Sequence, residues 1–184
     1  MGSDIGLLVM RVIVGLTLAG HGTQKLFGWF GGGGLEGTAK GYDRLGYRPG
    51  RPMALLAGVG EAAGGALLAL GLLTPLAAAA GIGVMLNAIV SVHLSKGFWN
   101  AKGGLEFPLT VATVFAGIAF AGPGRFSLDR AVGWEQAGWT WGVVAVGAGL
   151  LAGLAALALR ARSLRARRAG GHQQRDGAVG SPTG

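Results

Sequence analysis

One apolar run constrains this chain more than any other feature. From Met53 to Leu94, 42 residues carry a single formally charged side chain, Glu61, with Asn87 and His93 as the other strongly polar groups. About 20 apolar residues rising 1.5 Å each span the hydrocarbon core of a bilayer, so the run is long enough for two crossings. Its interruption at Thr74-Pro75 is too short for a domain boundary. It suits a tight helical hairpin, because proline fits the first turn of a helix and breaks its middle. The expected fold class is all-α, an integral membrane helix bundle of four or five helices.

Composition agrees. Only 13% of the 184 residues are charged and the mean hydropathy is +0.49, where a soluble domain carries about 25% charge. The 38 glycines lie inside the apolar runs, as where membrane helices approach closely. The net charge of +8 does not point to nucleic acid. Arg160, Arg162, Arg165, Arg167 and Arg168 follow directly on the last apolar run, where positive-inside topology and anionic lipid head groups account for them. With no cysteine, the chain has no thiol chemistry, disulfide or thiolate ligand of its own.

Five crossings are read in order: Ile5–Phe27, Met53–Leu73, Leu76–Ser95, Leu105–Ala121 and Trp139–Leu159. The first is not read as a signal peptide, since Asp4 stands where a basic region belongs and Arg11 interrupts the apolar stretch. Leu35, Ala39, Tyr42 and Leu45 recur at helical spacing and predict a short amphipathic helix in the interface. Gly60 and Gly64, with Gly65, are expected to let the first helix pack closely on the second. Ser127 is expected to cap a small helix with Asp129 in its first turn. Three divisions follow: a bundle at 1–132, an additional transmembrane helix at 133–160, and a basic, disordered tail at 161–184.

Placing the tail in the cytoplasm puts the 28–52 loop (four basic, two acidic residues) and the two lysines of 96–104 on that side. The opposite side receives Asp4, the bare Thr74-Pro75 turn and the charge-balanced 122–138 loop. Every basic excess then lies on one side, so the N-terminus is expected outside and the C-terminus inside.

Charged groups in hydrocarbon are costly and mark functional candidates. Arg11, Leu18, His21, Gly22 and Lys25 share one face of the first helix. The topology draws His21, Lys25, Glu61, Asn87, His93 and Glu106 into the cytoplasmic half of the bundle and leaves Arg11 nearer the outside. Arg11 then needs a backbone carbonyl, Asp4 or Glu61 as partner. In a structural reading, Lys25 or Arg11 neutralises Glu61 and Asn87 holds a helix pair. In a functional one, Glu61 and His21 bind or relay a proton to a small redox partner such as a quinone. A transported solute is the third. Neither a haem signature nor metal-site spacing stands out.

Arg11-(x)3-Gly15 with His21-Gly22-(x)2-Lys25-Leu26, then Glu61-(x)2-Gly64-Gly65-(x)2-Leu68-(x)2-Gly71-Leu72-x-Thr74, resembles the DoxX family of small bacterial membrane proteins. Gly103-Gly104-Leu105-Glu106 and Gly122-Pro123-Gly124-Arg125-Phe126-Ser127-Leu128-Asp129 extend the resemblance over roughly residues 5–132. It implies a four-helix bundle in a bacterial cell membrane. The family takes its name from a subunit of an archaeal thiosulfate:quinone oxidoreductase, and some members are linked to membrane complexes joining superoxide removal to thiol homeostasis. Carried over, the recurrent polar positions are Arg11, His21, Lys25, Glu61 and Glu106. The resemblance implies a membrane subunit of a redox-linked oxidoreductase complex, with quinone as the candidate cofactor and oxidoreductase proteins as candidate partners. The alternatives are a non-catalytic scaffold recruiting a soluble partner, or a small-solute permease. The fifth crossing and arginine-rich tail depart from the family pattern, and the lack of cysteine argues against autonomous thiol oxidation.

Overall fold

The structure is a computed structural model describing residues 1–134 and 136–179, with side chains through Ala169. Its regular elements are helices, with no strand among the described residues. α1 spans Gly2–Phe27, α2 Gly34–Leu45, α3 Gly50–Leu70 and α4 Thr74–Ala88; α5 spans Glu106–Ala121, α6 Leu128–Ala131 and α7 Trp139–Val179. Beyond Ala88, α4 winds on through a π-turn at Ile89–His93 and a 3-10 turn at Leu94–Lys96.

Four of these segments are long and apolar enough to cross a membrane: Gly2–Phe27, Gly50–Leu70, Thr74–Lys96 and Trp139–Ala169. α5 is shorter at 16 residues, about 24 Å. It nonetheless runs the height of the bundle. Phe107 in its first turn lies against His21 of α1, while the carbonyl of Phe120 near its end accepts from Gly138 N, just before α7. The five long helices therefore alternate in direction. The chain begins at one end of the bundle and the arginine-rich segment leaves from the other, hereafter the N-terminal end and the tail end.

Polarity is arranged for lipid. Ile5, Ile13 and Leu16 of α1, Leu56 of α3 and Leu151 and Leu154 of α7 face outward and are exposed, while Arg11, Glu61, Thr74 and Asp129 are buried. An aqueous protein sorts its side chains the other way. The apolar centre is built from Leu18, Leu68, Ile82, Met85, Phe115 and Ile118 among alanines.

Close approach of α1 and α3 depends on glycine. A Cβ on Gly22 would sit 2.3 Å from the backbone of Ala62, and one on Gly65 would sit 2.4 Å from Gly15 O and from Ala19 N. The expected glycine surface on α3 is thereby corrected. Gly65 faces α1, whereas Gly64 faces Ala80 and Gly60 faces Val84, both on α4. The 100° advance per residue separates Gly64 and Gly65 onto different faces.

At the N-terminal end the loop after α5 folds back over the bundle. Ser127 caps α6 as expected, its Oγ accepting from Arg130 N at 3.2 Å. Asp129 does not simply serve its own helix. Its carboxylate accepts from Leu73 N at 2.7 Å, Thr74 N at 2.9 Å and Thr74 Oγ1 at 2.7 Å. It thus caps α4, whose own cap residue Leu73 supplies no side-chain bond and whose helix dipole favours a negative charge there. Arg11 is fully buried and donates Nη2 to the carbonyl of Phe126, with Asp129 as its electrostatic partner. Of the partners expected for Arg11, the backbone carbonyl is the one used. Gly71 ends α3 at φ 63°, and a Cβ there would fall 1.5 Å from Arg11 Nη1.

The tail differs from the expectation of irregular chain from residue 161. α7 continues to Val179, so the arginine-rich stretch is helical. Alanine, leucine and arginine are strong helix formers, and a helix already nucleated in the bundle propagates through them at little cost. Residues 180–184 of that expected tail lie outside the described residues.

Removing the Asp129 carboxylate strands two amides and a hydroxyl. Asp129→Ala is expected to destabilise the protein by about 3–5 kcal/mol, measured by unfolding in detergent micelles. A loss below about 1 kcal/mol would mean the knot contributes little beyond packing.

Candidate functional site

A cavity of about 430 Å³ opens at the tail end, within the range of small-molecule sites. α4 supplies its back wall through Ala80, Gly83 and Asn87. α3 and α7, both packed on α4, form its sides through Ala57 and Gly60 and through Gly153 and Ala156. α2 and the turn after it add Tyr42, Leu45 and Tyr47. The side walls are small and apolar because this is where glycine and alanine set the helix spacing. Polar groups gather toward the α2 end.

Lys25 of α1 reaches across to Glu61 of α3 and pairs with its Oε2. Glu61 is 3% exposed and Lys25 27%, so the carboxylate is fixed in the interior while the ammonium stands at the cavity's edge. Of the two basic residues proposed from the sequence to neutralise Glu61, Lys25 does so. A buried carboxylate without such a partner would be an uncompensated charge in a weakly solvated interior.

A second network lies opposite. Tyr47 Oη donates to Asn87 Oδ1 at 2.8 Å and lies 2.7 Å from Ser91 Oγ. Since one hydroxyl hydrogen serves Asn87, the serine donates to the phenol. Asn87 Nδ2 in turn donates to Gly83 O at 2.9 Å and to Gly153 O at 3.2 Å, which ties α4 to α7. Asn87 holds a helix pair, as one sequence reading expected, and lines the cavity as well. Tyr42 stacks near Tyr47 with ring centroids 5.3 Å apart. Burial, with the charge of Glu61 beside it, pushes its phenol well above the ordinary range, so Tyr42 stays a neutral donor at physiological pH.

His93 ends the π-turn and lines the cavity. Its Nδ1 lies 2.7 Å from the carbonyl of Gly103, a contact that only a protonated ring nitrogen makes, which leaves Nε2 as the ring's other polar atom. The extra residue of a π-turn shifts the register of the helix face, and such turns recur at functional sites.

The other candidates lie elsewhere. His21 is at the same end but off the cavity, with Nδ1 3.1 Å from Gln24 Oε1 and its ring against Phe107. Glu106 accepts from Asn100 N at 2.9 Å and closes a surface loop. Arg11 belongs to the knot at the N-terminal end. Lys25, Glu61, Asn87 and His93 are therefore brought together, and Arg11, His21 and Glu106 are not. Tyr47 was missed by sequence reasoning: a lone tyrosine after a glycine carries no pattern. Among the described residues no three histidine, aspartate or glutamate side chains converge as metal ligands.

Lys25→Met strands the buried carboxylate and is expected to cost about 3–5 kcal/mol, Glu61→Ala less because Lys25 can turn toward the interface, and the double variant well under their sum. A double-mutant cycle on detergent-solubilised protein measures the coupling. Additive losses would remove the ion pair from any account of this site.

Comparison with known proteins places these residues in context. The DoxX family model matches residues 6–94, the stretch from α1 through α4 that holds Lys25, Glu61, Asn87 and His93. The chain is 32% identical over 135 residues to the uncharacterized membrane protein Rv3486 of Mycobacterium tuberculosis, covering 67% of this chain and 78% of that one. No solved structure matches. With the bundle, the apolar exterior and this relative in agreement, the chain belongs to the DoxX family of membrane proteins.

Proposed function

We propose that this protein is the membrane-embedded, quinone-binding subunit of a redox-linked assembly, with the cavity at its tail end as the binding site. The observation that carries this reading is one charged pair, Lys25–Glu61, at the polar end of an otherwise apolar cavity between membrane helices. A quinone needs just these two environments: hydrogen-bond donors for its carbonyl oxygens and an apolar path for its tail. Lys25, at the edge, donates to one carbonyl. Tyr42 lines the same end and offers a further donor, while His93, whose Nδ1–H serves Gly103, presents Nε2 as an acceptor. The tail passes between α3 and α7 beside Gly60 and Ala156. Electrons come from a partner protein, as the chain has no thiol of its own to supply them.

The test is saturable binding of a short-tailed naphthoquinone to the full chain in lipid nanodiscs, followed by quenching of intrinsic fluorescence. Glu61→Gln removes the charge that holds Lys25 in place and is expected to weaken binding about tenfold, equivalent to roughly 1.4 kcal/mol. Saturable binding that Glu61→Gln leaves unchanged would move the quinone away from this pair. Absence of saturable binding by folded wild-type protein would reject the reading.

We also infer a bacterial cell membrane location with the tail end cytoplasmic, from the excess of Lys and Arg at that end. The chain lacks cysteine, so single cysteines report cleanly. Val132 is exposed at the N-terminal end and Arg167 at the tail end. In intact cells an impermeant maleimide is expected to label Val132→Cys and spare Arg167→Cys; the reverse pattern inverts the orientation. Thr74, at the same end as Val132, is buried against Asp129 and is no use as a probe.

A further inference from the structure

Beyond the cavity, the tail end carries a concentration of positive charge that the fold does not use internally. The acidic side chains there are engaged. Glu36 pairs with Arg51 at 3.3 Å and Asp43 with Arg48 at 3.9 Å, Glu61 holds Lys25, and Glu106 accepts the Asn100 amide. Arg160 is also committed, donating Nε to the carbonyl of Leu45 at 2.7 Å and lying 5.9 Å from the centre of the Tyr47 ring. Leu164 then packs on Gly46. These two contacts fix the level at which α7 leaves the bundle, beside amphipathic α2. Arg162, Arg165, Arg167 and Arg168 follow, all exposed and without an acidic partner among the described residues.

Their arrangement identifies what they meet. At about 100° per residue, Arg160, Arg162, Arg165, Arg167 and Arg168 fall near 0°, 200°, 140°, 340° and 80°, so the charges encircle the helix. A soluble acidic protein docks from one side and would select a one-sided stripe. A layer of phosphates through which the helix passes surrounds it. The segment from Arg160 to Arg168 rises about 12 Å, enough to traverse a head-group region of roughly 5–8 Å per leaflet. The helix just before it is lipid-facing, with Leu151, Leu154 and Leu159 exposed, so these arginines stand among head groups. Guanidinium groups match phosphate oxygens in a two-pronged geometry.

We propose that Arg162, Arg165, Arg167 and Arg168 form a collar on α7 that binds anionic phospholipid head groups and enriches them around the tail end of the bundle. This site is separate from the cavity and does not depend on what the cavity binds.

The experiment uses the full chain reconstituted in vesicles of mixed phosphatidylcholine and phosphatidylglycerol. Spin-labelled versions of each lipid report the fraction held at the protein surface. Wild-type protein is expected to favour phosphatidylglycerol several-fold over phosphatidylcholine, and the preference is expected to shrink as salt rises. Replacing the four arginines together by glutamine should remove most of the preference, and replacing them by lysine should keep most of it, with circular dichroism confirming the same helix content. A glutamine variant as selective as wild type overturns the collar. So does a wild-type protein that prefers neither lipid, or a glutamine variant that keeps its lipid selectivity and instead loses an acidic protein co-purifying from native membranes. Naphthoquinone binding measured on the same glutamine variant should be unchanged, which separates a failed collar from a failed cavity.

Discussion

Hydrocarbon offers a polar group nothing to bond to, and this bundle depends on answering that constraint internally. The answer is concentrated at two levels. At the N-terminal end Asp129 accepts from both amides at the start of α4 and from the Thr74 hydroxyl, while Arg11 takes the Phe126 carbonyl. One loop thereby fixes the ends of α1, α3 and α4. At the tail end Lys25–Glu61 joins α1 to α3, and Asn87 joins α4 to α7. Between the two levels the core needs only packing, and the small residues of the α1–α3 seam supply it. Dispersion at close approach replaces the hydrophobic driving force that helices lose inside lipid.

The two knots differ in what surrounds them. Asp129 has three donors on its two oxygens and is wholly buried, which makes it a staple that holds one geometry. The Tyr47–Asn87–Ser91 network and the Lys25–Glu61 pair border open volume. Polar groups that line a cavity keep bonding capacity that a closed core would have consumed, and in a membrane such capacity is costly enough to mark a candidate site. The cavity thus follows from the same constraint as the staple, met at a place where helix packing is left incomplete.

Much of this was legible in the residues. The Thr74-Pro75 break, the amphipathic α2, the Ser127 cap and the depth of Lys25 and Glu61 all follow from periodicity, turn chemistry and rise per residue, each a local rule. What was not legible depended on tertiary placement. Asp129 looked like an ordinary first-turn acid, and only the fold-back of its loop brings it to the start of α4. Glu106 and His21 sit at the expected depth but on other faces or loops, because depth is one coordinate and a site needs three. Tyr47 has no periodic partner at all. The arginine-rich segment misled through its composition: polarity suggested an irregular tail, while alanine, leucine and arginine carry α7 onward. The last helix, read as an addition to the bundle, supplies Gly153 and Ala156 to the cavity wall.

The unequal burial of the ion pair bears on how the cavity responds to an occupant. Glu61 sits mid-helix on α3 and is 3% exposed, its short side chain keeping the carboxylate close to its own helix. Lys25 stands near the end of α1 on a four-carbon stem, 27% exposed, and can swing toward the interface without leaving its helix. Anything that enters with a hydrogen-bond acceptor therefore draws on the lysine first. As the ammonium turns toward that acceptor, Glu61 loses part of its counter-charge in a weakly solvated position. An acceptor lodged beside Lys25 and the Lys25–Glu61 pairing then compete for one ammonium, each weakening the other by the reciprocity of coupled equilibria. A pair with equal burial on both sides would lack this direction. Here the fixed acid and the mobile base give the cavity one end that holds and one that yields.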